Sequence, residues 1–243
     1  VTITRYAVTT GASTSVTSAD TATVSPTAGR LQILLGLGER PSSDWDYLEI
    51  ADGGCGLTWQ TVNASSVYEV NYPGDVPGNN ADLYMWWAMA PSNVASGHAT
   101  LSGGGVLTWP RFAWIWIEFD GIDSVGTKVN DAFDLAVNAT ASPTHCPFNA
   151  SFDDPTNNLV VAGCGVYGVA PTAPAGYAAT AKSSGSFYMS LASKVGEDLD
   201  PQFTYSSTRR WGAIAGEFNA APPPWVRPKI VIPRGAVNRA AWR

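Results

Sequence analysis

Apolar and polar residues alternate with period two in segment after segment of this chain. That rhythm puts successive side chains on opposite faces of an extended strand. Leu31, Ile33, Leu35 and Leu37 share one parity, with Gln32 and Gly36 on the other. Leu57 and Trp59 alternate with Thr58 and Gln60, and Ile115, Ile117 and Phe119 with Trp114, Trp116 and Glu118. Phe133, Leu135 and Val137 alternate with Asp134 and Ala136, and Leu159–Val166, Phe187–Leu191 and Trp211–Phe218 complete the set. Leu83–Met89 differs, because Tyr84, Trp86 and Ala88 make its second face apolar too. Such a strand is covered on both faces or lines an interface. Turn clusters separate the runs: Gly53-Gly54, Tyr72–Asp75, Pro77–Asn80, Gly103–Gly105, Asp153–Pro155 and Ala173–Gly176. No segment sustains a capped helical period; the best helical scrap is one turn near Asp44–Leu48. The expectation is an all-β, two-sheet antiparallel sandwich of jelly-roll type over residues 1–221, with eight to ten strands and a tail over 222–243.

Composition excludes several other classes. Charged residues make up 14% against the ~25% of ordinary globular chains, too few for a helical bundle. Ten Trp, nine Tyr and eight Phe supply far more buriable surface than a disordered chain carries. The apolar stretches Leu31–Leu37 and Leu83–Ala90 are too short to span a bilayer, so no membrane insertion is expected. No charged-then-apolar leader opens the sequence. Cys55, Cys146 and Cys164 are odd in number and lack a Cys-x-x-Cys pair. They read as thiols of a chain assembled in a reducing cytosol, with one disulfide between two of them left open and Cys164 as a buried apolar thiol. All 20 acidic residues lie within 1–221, against nine Lys and Arg, a net −11; residues 222–243 carry five positive charges and no acid. An acidic body repels nucleic acid at long range.

Candidate chemistry is sparse. His98 and His145 stand 47 residues apart among small or turn residues and read as surface histidines rather than a ligand pair. Asp44, Asp46 and Glu49, or Asp153 and Asp154, offer oxygens for calcium without the spacing of a calcium loop. The chain has no Gly-x-Ser-x-Gly, and Gly103–Gly105 lacks the Gly-Lys-Ser/Thr of a phosphate loop. Trp114-Ile-Trp-Ile-Glu-Phe119 and Trp211-Gly-Ala-Ile-Ala-Gly-Glu-Phe218 echo one another; duplication and convergent strand chemistry both explain the echo. Parity sends Phe119 and Phe218 inward and Glu118 and Glu217 outward. On neighbouring strands the two carboxylates would resemble a glycosidase pair; otherwise they are solvent-facing strand residues. Trp86, Trp87, Trp109, Trp114 and Trp116 form a sugar-stacking platform in one reading and core or interface anchors in the other.

The order of the pieces resembles a known kind of protein. Pro26–Gly38 (Pro-Thr-Ala-Gly-Arg-Leu-Gln-Ile-Leu-Leu-Gly-Leu-Gly) follows an early Thr/Ser-rich strand, and Gly56–Trp59 (Gly-Leu-Thr-Trp) comes next. Then come Leu83–Ala90 (Leu-Tyr-Met-Trp-Trp-Ala-Met-Ala), Trp116–Asp123 (Trp-Ile-Glu-Phe-Asp-Gly-Ile-Asp) and Trp211–Phe218. Across about residues 5–220 this resembles the jelly-roll structural domains of tailed-bacteriophage virion proteins, especially minor tail proteins of phages that infect actinobacteria. Ile230–Val237 (Ile-Val-Ile-Pro-Arg-Gly-Ala-Val) resembles their C-terminal tails. The resemblance implies a non-catalytic particle component without cofactors, assembled in the host cytoplasm and located in the virion, on the tail rather than the capsid surface. Its partners would be other virion subunits, copies of itself included. A carbohydrate-binding module that contacts a host-envelope glycan, a capsid decoration protein and a glycan hydrolase are the alternatives.

Residues 222–243 form the expected docking element. Pro222–Pro224 stiffen its start. Ile230, Val231 and Ile232 have strand character suited to a partner's sheet edge. Trp225 and Trp242 are pocket anchors of the kind that dominate interface hot spots. Arg227, Lys229, Arg234, Arg239 and Arg243 suit an acidic partner surface.

Overall fold

The computed structural model describes residues 2–39, 48–62, 69–70, 81–103, 108–123, 128–136, 145–146, 157–196, 201–206 and 211–221. Every regular element among them is a strand. The first half of the chain supplies β1 (Thr4–Val16), β2 (Ser18–Asp20), β3 (Leu31–Glu39), β4 (Leu48–Gly53), β5 (Gln60–Thr61), β6 (Glu69–Val70), β7 (Ala81–Met89), β8 (His98–Gly103) and β9 (Trp109–Asp120). The second half supplies β10 (Lys128–Ala136), β11 (His145–Cys146), β12 (Leu159–Tyr167), β13 (Ala178–Ser184), β14 (Phe187–Val195), β15 (Phe203–Thr204) and β16 (Trp211–Phe218). The first large sheet runs β1-β9-β3-β7-β5, with β6 also on β7; the second runs β10-β16-β12-β14-β13. Neighbouring strands in both pair antiparallel.

The two large sheets face one another across the main core, the sandwich that the alternating pattern predicts. Leu31, Ile33, Leu35, Leu83, Met85, Ile115, Ile117 and Phe119 meet Leu159, Val161, Met189, Leu191, Ile214 and Phe218 there. Close approach requires a glycine at one point: a Cβ on Gly163 would lie 2.5 Å from Leu35 Cδ1. Phe119 and Phe218 point inward as parity predicts.

The outer faces are where the structure departs from a two-sheet expectation. A three-stranded sheet, β2-β8-β4, lies over the first large sheet, and Ala19, Leu48, Ala99 and Leu101 pack against Leu34, Tyr84, Trp86, Trp114 and Trp116. Over the second, Phe203 and Tyr205 cover Val160, Ala162, Cys164, Ala213 and Ala215; Phe203 belongs to the two-stranded ribbon β11-β15. Central strands are thereby buried on both sides, which explains why β3, β7, β12 and β16 are almost continuously inaccessible. The apolar second face of Leu83–Met89 is covered by the chain's own third layer.

Two local expectations change. Leu48 opens a strand rather than closing a helical turn, and 44–47 lie outside the described residues. Leu57 and Trp59 are not in a strand. The Asp52 carboxylate accepts hydrogen bonds from the N–H groups of Gly54, Gly56 and Leu57 at 3.2, 2.9 and 3.2 Å, and this loop uses up the backbone donors a ladder would need. Gly54 and Gly56 take φ of 103° and 79° there, a conformation that favours glycine.

The echoed Glu-Phe motifs fall on equivalent strands. The orders β1-β9-β3-β7 and β10-β16-β12-β14 match position for position. Leu31 pairs with Phe119 and Met89, and Leu159 pairs with Phe218 and Val195. Where the chain leaves β9 and β16, Ile122 and Ala220 form an antiparallel bridge. Asp123 N–H donates to Asn219 O at 2.9 Å and Ala221 N–H to Gly121 O at 2.8 Å, a reciprocal pair like that across a local two-fold axis.

Candidate functional site

Glu118 sits on the outer face of the first sheet, beside Trp116 and opposite Gln32 of β3. It is 5% exposed, not the solvent-facing residue that parity alone predicts, because the loop before β3 closes over it. Its Oε2 accepts from Thr27 N–H at 2.8 Å and Gln32 Nε2 at 2.9 Å, and Oε1 from Arg30 Nη1 at 2.7 Å. Gln32 Oε1 in turn accepts from Trp116 Nε1 at 3.0 Å, and the Trp116 ring meets Trp59 edge-on, centroids 5.3 Å apart. Arg30 is fixed by Asp120 at 3.6 Å and by the Tyr6 ring, 4.1 Å below its guanidinium carbon. Burial pushes the Glu118 carboxyl up, but the Thr27 N–H, the Arg30 guanidinium and the Gln32 amide together hold it below the usual carboxylate range. A carboxylate so held is an ionised acceptor, not a proton donor.

Glu217 occupies the matching place on the second sheet and is fully buried, again against the expectation of a solvent-facing residue. Asn158 Nδ2 donates to Glu217 Oε1 at 2.8 Å, and Asn158 Oδ1 accepts from Ala220 N–H at 3.2 Å. Asn158 precedes Leu159 as Arg30 precedes Leu31, so each Glu is tied to the residue just before a strand that pairs with its own. The strands β9 and β16 are not neighbours. Their Phe residues meet in the main core, so the two carboxylates point away from it on opposite sides. Stacked sheets lie ~10 Å apart, and the acids are further apart than that, beyond the ~5–9.5 Å span of glycosidase pairs. The glycosidase alternative, which needed the two strands to be neighbours, therefore falls away, and the two acids serve two separate structural ties.

The other candidates divide. Trp86, Trp87, Trp114 and Trp116 are 3%, 8%, 6% and 0% exposed, core residues with no face open to a sugar ring; the Trp109 side chain lies outside the described residues. Cys55 is a buried free thiol pushed up to about 11 by burial and by Asp52, far from the thiolate a nucleophile needs. Cys164 is buried in the small-residue face of the second sheet. His98 lies 3.6 Å from Asp20, with its ring packed over Gly53. Glu49 is on β4, and among the described residues no three His, Cys, Asp or Glu gather as a metal site. The side chains of His145 and Cys146, and Asp44, Asp46, Asp153 and Asp154, lie outside the described residues. So do Trp225, Arg227, Lys229, Ile230, Val231, Ile232, Arg234, Arg239, Trp242 and Arg243 of the tail. No described helix is long and apolar enough to cross a membrane.

Sequence reasoning missed Arg30, Gln32 and Asn158 as partners of the two acids. A signal existed for Gln32: a polar residue inside a strand whose two faces are otherwise apolar or glycine must be hydrogen-bonded. No family model, curated protein or solved structure matches this chain. What is defined is an all-β sandwich with covered outer faces.

Proposed function

We propose that this protein is a non-catalytic structural component of a tailed bacteriophage particle, a minor tail protein, that docks on neighbouring subunits through residues 222–243. One observation carries the non-catalytic part: Glu118 and Glu217, the chain's one carboxylate pair with a catalytic look, are both buried and committed to holding strands together. The order of strand motifs from Pro26 to Phe218 supports the particle assignment. The acid-free, Pro-led tail beside a body of net −11 supports docking, since it can meet another copy or any acidic neighbour with favourable charge. Burial of four tryptophans removes most of the platform that a carbohydrate-binding role would use.

The test is quantitative mass spectrometry of purified particles, with antibody labelling to locate the chain. A fixed copy number at the tail supports the reading. Labelling over the capsid surface would make it a decoration protein instead, and absence from particles would refute both.

A further inference from the structure

Arg5 breaks the rule that the inner face of a sandwich is apolar. It pairs with Phe119 across β1 and β9, and cross-strand partners share a face, so Arg5 projects into the space between the two large sheets. It bridges to the opposite sheet, where Nη2 donates to Thr180 Oγ1 of edge strand β13 at 2.7 Å. Its Nε is buried without an acceptor, and no described carboxylate forms an ion pair with it. Burial accordingly lowers its pKa, as it must for a cation taken from water without a counter-ion.

Beside Arg5 opens a cleft of about 320 Å³, at the lower end of the ~300–1,000 Å³ typical of small-molecule sites. Its apolar surface comes from Ile3, Phe119, Leu159 and Val195, the last 46% exposed. Arg5, Ser193 and Lys194 supply its polar side chains, and no carboxylate is among the lining residues. The Lys194 ammonium lies 5.7 Å over the Tyr177 ring.

We propose that this seam between β1 and β13 binds a small carboxylate with an apolar body, the carboxylate facing Arg5 and the body lying against Ile3 and the exposed Val195. The guanidinium fork has five donors, of which one is used on Thr180, and a carboxylate is the anion whose planar geometry it matches. A bare oxyanion such as phosphate would leave Val195 uncovered. The proposal does not rest on residues 222–243, so its failure leaves tail docking untouched.

Octanoate titrated into the full chain by calorimetry is the test. Saturable binding is expected, with octanol and acetate each at least about tenfold weaker, since one lacks the charge and the other the apolar body. Arg5→Gln should weaken octanoate by about tenfold or more, and Val195→Asp, which places a resident acid at the exposed rim, should do the same. Octanoate that does not saturate overturns the proposal, as does octanol or acetate binding equally well. If Arg5→Gln fails to fold, Val195→Asp decides, and unchanged octanoate affinity there overturns it.

Discussion

On the first large sheet the outer face carries rings, Tyr84, Trp86, Trp114 and Trp116, and the layer above it presents Ala19, Ala99 and Leu101. On the second the outer face is small over Ala162, Cys164, Ala213 and Ala215, with Trp211 the one ring at the start of β16, and the rings of Phe203 and Tyr205 come from the cover. Interiors pack to nearly constant density, so bulk on one side demands its absence on the other, and the two sheets place that bulk on opposite partners. The buried acids differ in the same spirit. Glu118 meets a guanidinium, an amide and a backbone N–H, whereas Asn158 gives Glu217 a neutral amide and also caps Ala220 N–H. The residue just before the strand therefore ties its Glu with a cation in one sheet, Arg30, and with a neutral amide in the other, Asn158.

The largest effect should come from the ring side of this comparison. Trp116→Ala removes a fully buried indole and its bond to Gln32 and should cost about 3–5 kcal/mol in chemical denaturation. A cost under about 1 kcal/mol would mean that the third layer does not seal that face. Next, Asn158→Ala should lose about 2 kcal/mol and Arg30→Ala about 1 kcal/mol. Arg30 is the less costly loss because Glu118 keeps its bonds to Thr27 and Gln32 and because the Arg30 side chain is partly in solvent. The reverse order would show that the ionic tie, not the neutral one, governs stability. Gly163→Ala forces a methyl against Leu35 and should cost about 1–2 kcal/mol, read as a lower melting temperature.

An effect of similar size depends on pH. Glu118 is held below its ordinary value of about 4.3, so its contribution is complete above that pH and is lost as pH falls through the lower folded value. Glu118→Gln should destabilise the protein by about 1.5 kcal/mol near pH 7, with the gap to the native sequence closing below about pH 4. A constant gap across that range would place the effect in shape and not in charge. Smallest of all, Cys55 should resist thiol reagents at pH 8 until the protein unfolds, as mass spectrometry of labelled protein would show.

Strands that read as apolar runs bounded by turn clusters were legible from sequence. Leu31–Leu37, Leu159–Val166 and Trp211–Phe218 all fall within strands. β4, β8 and β13 were not legible: segments such as Ala178–Ser184, rich in Ala, Ser and Thr, carry little hydrophobic contrast. Nor was the pairing of strands, since periodicity says which residues are extended and not which strands adjoin. Glu118 and Glu217 show the consequence. Their parity was read correctly as opposite to Phe119 and Phe218, but outward meant solvent only if nothing lay over the sheet. The covering layers come from distant segments that one strand's pattern cannot announce.

Removing residues 222–243 tests the central claim most directly. The truncated chain should fold, with a cooperative thermal transition close to that of the full protein, and should be absent from purified particles assembled in its presence. Normal incorporation of the truncated chain would contradict docking through the tail.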